Sequence, residues 1–106
     1  MATLNDEFEE LGSAVRELIA LLEEAEHGFW LSYLRRGLLQ IDEFKLSGAT
    51  FVLGCYGGEH TFSDLVIGEE LAQTEPLRYR NLNARLQHLR TRTFDAANAI
   101  AARRTW

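Results

Sequence analysis

The chain has 106 residues, 46% hydrophobic and 25% charged, with one proline, one cysteine and a net charge of −5. That length makes one domain able to bury about two-thirds of its unfolded surface, and the composition excludes a disordered or disulfide-stapled chain. The longest apolar runs are a few residues, far short of the ~20 that cross a bilayer, and an acidic protein lacks the basic footprint of a nucleic-acid binder.

Leu4, Phe8, Leu11, Val15, Leu18, Ile19 and Leu22 recur at steps of three and four, one apolar stripe of a helix over residues 4–25. Thr3 with Asp6 can form its capping box, and His27-Gly28 is read as its stop. Phe29, Trp30, Tyr33, Leu34, Leu38 and Ile41 keep the same spacing and predict a second helix over 29–44. The short connection makes the pair an antiparallel helical hairpin. Ser47-Gly48 reads as a break. The apolar run 49–56 suits a strand or a helix by periodicity alone, but no other segment alternates as a strand would, so a short buried helix is expected. Paired Gly57-Gly58 bend the chain, Thr61 and Asp64 form a second short capping signature, and a helical turn follows over 62–67. An acidic connection over 68–74 leads to Pro76, a first-turn proline. The last helix, 76–103, places Leu82, Leu86, Leu89, Thr93, Ala96, Ala97 and Ile100 on one face, with Arg78, Arg85 and Arg92 seven apart on another. The fold class is therefore a single all-α domain, a small helical bundle.

Charge is segregated along the chain. Residues 1–46 hold ten acids and four bases (−6), residues 47–75 five acids and no base (−5), and residues 76–106 one acid and seven arginines (+6). Such a chain can pair its acidic first helix with its basic last one, or show two fields to different partners. Pairing within the chain is the favoured reading.

Few residues point to chemistry. Cys55 and His60 are a Cys–His pair in sequence only, and a cysteine in an apolar run behaves as a small buried hydrophobe. Glu59, His60 and Asp64 lack a second histidine at ligand spacing, so no metal is expected. Gly57-Gly58 has neither the lysine nor the positive surroundings of a phosphate loop. The arginines of the last helix are the one feature favouring nucleic acid, and the net acidity outweighs them. With no cysteine partner, no basic leader and no apolar segment, a cytoplasmic protein is expected.

Tyr56-Gly57-Gly58, followed after two residues by Thr61-Phe62-Ser63-Asp64-Leu65-Val66-Ile67, resembles a family of small uncharacterised bacterial helical proteins. These join an aromatic-Gly-Gly unit to a Ser/Thr-Phe-x-Asp-Leu-Val segment. The resemblance extends to the Trp-x-x-x-Leu pattern at Trp30 to Leu34 and to the closing arginine-and-alanine helix, covering residues 29–103. Many relatives carry a small flexible pair where this chain has Glu59-His60. The resemblance implies a stand-alone bacterial domain of the kind that accompanies secreted toxins as an immunity protein.

The expected function is thus a non-enzymatic immunity-type protein that binds and occludes a cognate toxin, as a monomer or homodimer and without cofactor. Its contact surface is expected around the bend, with Glu59, His60, Asp64, Glu69, Glu70 and Glu75 meeting basic groups and Tyr56 and Phe62 as aromatic anchors. The alternative is a regulatory or adaptor domain, homodimeric through its long helices. An enzyme using Cys55 ranks third.

Overall fold

The structure, a computed structural model, describes residues 3–56 and 62–103. Its elements are α1 (Leu4–Glu24), α2 (Phe29–Asp42), α3 (Leu46–Leu53) and α4 (Pro76–Ala101), with 3-10 turns at Phe62–Asp64 and Glu69–Leu71. No strand occurs among the described residues, and none of their helices is long and apolar enough to cross a membrane.

The capping box opens α1 as the sequence predicts. The Asp6 N–H donates to the Thr3 hydroxyl at 3.1 Å, and the Thr3 N–H donates to the Asp6 carboxylate at 3.0 Å. Those bonds hold the Asp6 carboxyl below its ordinary pKa, the backbone bond most of all.

Both following helices end within two residues of the expected bounds, at Glu24 and Asp42, and the detail of each stop is new. His27-Gly28 does not stop α1; the helix ends at Glu24, and Glu26 takes the left-handed conformation at φ 55. The His27 N–H then donates to the Leu22 carbonyl at 2.9 Å, closing a Schellman turn with glutamate where glycine is usual. The end of α2 repeats the design, with Phe44 at φ 57 and the Lys45 N–H donating to the Gln40 carbonyl at 3.1 Å. There the strained residue is packed, because the Phe44 ring stacks on Phe8 at 5.5 Å.

α1 and α2 run antiparallel, as Arg16 to Asp42 at 2.6 Å and Glu23 to Arg35 at 3.6 Å require. α2 and α3 form a second hairpin. The Ser47-Gly48 pair, read from sequence as a break, lies inside α3, which starts before residue 49 and ends before residue 56. Gly48 is there for close approach: a Cβ at that position would lie 2.7 Å from the Ile41 backbone nitrogen. Gly37 across the same contact faces Val52 and Phe51. Within α2, Leu34 and Ile41 are buried as expected, but Phe29 and Tyr33 are 64% and 39% exposed. They lie on the side of α2 that neither α1 nor α3 fully covers.

α4 closes the bundle against α1. Its buried residues are Leu82, Leu86, Leu89, Thr93, Ala96, Ala97 and Ile100, the predicted stripe, set against Leu11, Val15, Leu18 and Leu22 of α1 in one core. The charge stripes match as well. Arg92 bridges Glu10 through two bonds of 3.0 and 2.8 Å and reaches Glu17, Arg85 meets Glu24 at 3.0 Å, and Arg103 pairs with Glu7. Residue numbers rise on one helix as they fall on the other, so the two are antiparallel. Each exposed pair contributes only about 0.2–1 kcal/mol, whereas each fully buried leucine contributes roughly 1.5–3 kcal/mol. The leucines therefore hold the helices together, and the ion pairs are consistent with the same register.

Gly48→Ala is expected to lower stability by about 1–3 kcal/mol, overriding the ~1 kcal/mol that alanine adds in helix propensity. Gly12→Ala is the control, since its Cβ would only displace the flexible end of Arg16. Urea midpoints should fall for the first and hold or rise for the second.

Candidate functional site

The segment after the bend has little regular structure of its own, and α4 holds it with two side chains. Asn83 accepts from the Ile67 N–H at 2.9 Å and donates to the Ile67 carbonyl at 2.9 Å, imitating a strand pair with one amide. Arg90 donates to the carbonyls of Phe62 at 3.0 Å and Leu65 at 2.9 Å. The Tyr56 hydroxyl donates to the Arg90 carbonyl at 2.8 Å, fixing the other side of the bend. Phe62 and Ile67 are then driven into the core, and their intervening residues are left at the surface.

What this anchoring creates is a cleft of about 860 Å³ between the α1–α2 connection and residues 64–70. Among the described residues its walls carry Glu26, Asp64, Glu69 and Glu70, together with His27 and Trp30, and no lysine or arginine. Gly68, at φ 66, turns the chain so that Glu69 and Glu70 face outward from the next 3-10 turn. Glu26, Glu69 and Glu70 make no ion pair among the described residues. The Nε2 atom of His27 is buried without a hydrogen-bond partner among them. Trp30 closes the inner wall, with its ring 5.4 Å from that of Phe62.

Glu26 differs from Phe44 in one respect. Both adopt the left-handed conformation, at a cost of about 1–2 kcal/mol for a residue with a Cβ. Phe44 regains part of that by stacking, whereas Glu26 is exposed and offers its carboxylate to the cleft. Strain retained without packing is a pointer to a binding role.

Of the residues the sequence analysis singled out, the structure brings Asp64, Glu69 and Glu70 together in this cleft. Glu75 is not among them; it precedes α4 and pairs with Arg78 at 3.6 Å. Phe62 is fully buried, so it supports the cleft from within and does not serve as a surface anchor. Tyr56 is half-buried, with its ring held edge-on between Phe62 and Phe94 and its phenol pushed upward in pKa by burial. It too is scaffold. Glu59, His60, Gly57, Gly58 and Thr61 lie outside the described residues. Glu26, His27 and Trp30 complete the site without having been proposed for it. Only the tertiary approach of the α1–α2 connection adds them.

Cys55 lies in the core and donates weakly to the Phe51 carbonyl at 3.7 Å. Burial pushes its thiol up to about 11, the opposite of what a nucleophile requires. Among the described residues no three His, Cys, Asp or Glu side chains are grouped so as to hold a metal ion. No family model, curated protein or solved structure matches this chain.

Two outcomes test these placements. Asn83→Ala should cost about 1–3 kcal/mol because it leaves the Ile67 backbone groups without partners, with the Ile67 amide losing hydrogen-exchange protection before the α1 amides do. The buried thiol, at about 11 when folded against 9.0 in a free chain, should make stability fall as pH rises through that window, since only the unfolded chain ionises early. Below it the contribution is complete. Cys55→Ala should flatten the lower part of that pH profile, leaving the fall that the buried Tyr56 phenol causes at higher pH, and the native thiol should label slowly near neutral pH.

Proposed function

We propose that this protein is an immunity-type inhibitor, a non-catalytic cytoplasmic bacterial domain that binds a cognate toxin and occludes it by receiving basic side chains in the acidic cleft. The observation that carries the reading is the convergence of Glu26, Asp64, Glu69 and Glu70 on one cleft, with no arginine or lysine among the described residues of its walls. Most arginines of α4, and Arg103 just beyond it, are committed elsewhere. Arg85, Arg92 and Arg103 neutralise α1, and Arg90 is bonded to backbone carbonyls. Glu26, Glu69 and Glu70 make no ion pair among the described residues, so the cleft keeps negative charge for a partner.

An arginine or lysine entering this cleft meets several carboxylates and the Trp30 ring, a combination that favours cations both by charge and by the π face. Charge complementarity of this kind raises association rates and selects among partners more than it deepens affinity. The resemblance of the Tyr56–Ile67 segment to stand-alone immunity-type proteins points the same way. The glycine bend is no longer the centre of the surface in this reading; the cleft beside it is.

The test uses two variants and, as partner, a toxin from which the parent protein protects cells. In E26K/E69K/E70K the substituted side chains are exposed, so helical circular dichroism should be retained, while protection of cells and toxin binding are lost, the association rate falling most at low salt. In Glu26→Gly the strain is relieved, so stability should rise on the order of 0.5–1 kcal/mol while binding weakens. A triple variant that folds and still protects like the parent overturns the assignment.

A further inference from the structure

We draw no further inference here: the strongest candidate, the exposed aromatic face of α2 where Phe29 and Tyr33 border a groove against Phe51 of α3, carries nothing, because nothing in the structure shows what covers it.

Discussion

The antiparallel packing of α1 on α4 is the constraint from which the rest of the molecule follows. The two helices are separated by half of the chain, and their apolar stripes form one core to which α2 and α3 add Leu34, Ile41, Ala49 and Val52. The interdigitated side chains of that core fix how the two helices meet. The arginines reinforce the same alignment. Arg92 can meet Glu10 and Glu17 together in one alignment, and in that alignment Arg85 and Arg103 find Glu24 and Glu7. The arginine-bonded Glu10 carboxyl is held below its ordinary pKa, chiefly by the hydrogen bond from Arg92. The same register carries Asn83 and Arg90 to the level of Ile67 and Phe62, so the alignment that pairs ions on one side of α4 places the clasp on another.

Two helix ends show how similar backbone strain can serve different purposes. Phe44 and Glu26 occupy equivalent left-handed positions in equivalent Schellman turns. Phe44 stacks its ring on Phe8 while staying 44% exposed, so its conformation gains one packing contact. Glu26 has no such contact, and glycine would fit the turn better. What the glutamate adds is a carboxylate at the mouth of the cleft, beside His27 and Trp30. A sequence optimised for stability alone would not keep it there.

Much of the fold was legible in the sequence because the helices of the central pair each present one strong apolar stripe. The seven residues assigned to the inner face of α4 are its buried residues, and the α1 stripe and capping box are present as read. The α2 stripe was read less well. Spacing places Phe29 and Tyr33 on a helix face, but it does not say whether a neighbour covers that face, and here the rings cover one another. Gly48 was misread for a related reason: glycine marks a break and a close helix crossing alike, and only the proximity of Ile41 separates the two. For the candidate site, Asp64, Glu69 and Glu70 were visible as a local acidic run. Glu26 and His27 were hidden because they join it only through folding. Tyr56 and Phe62 were taken for anchors because their partners lie 34 and 28 residues away on α4, beyond any local pattern.

The clasp of Asn83 and Arg90 ties the cleft to the order of synthesis. The ribosome adds roughly 5–20 residues per second, so α4 emerges some ~3–10 s after α1 is complete. During that interval α1, α2 and α3 can form their local hairpins, but residues 62–67 have nothing to hold them and α1 keeps its leucines uncovered. The cleft comes into being only when residues 83 and 90 arrive. A nascent or prematurely terminated chain therefore lacks the cleft and presents an apolar stripe for chaperones and proteases to find, which ties formation of the cleft to completion of translation through α4.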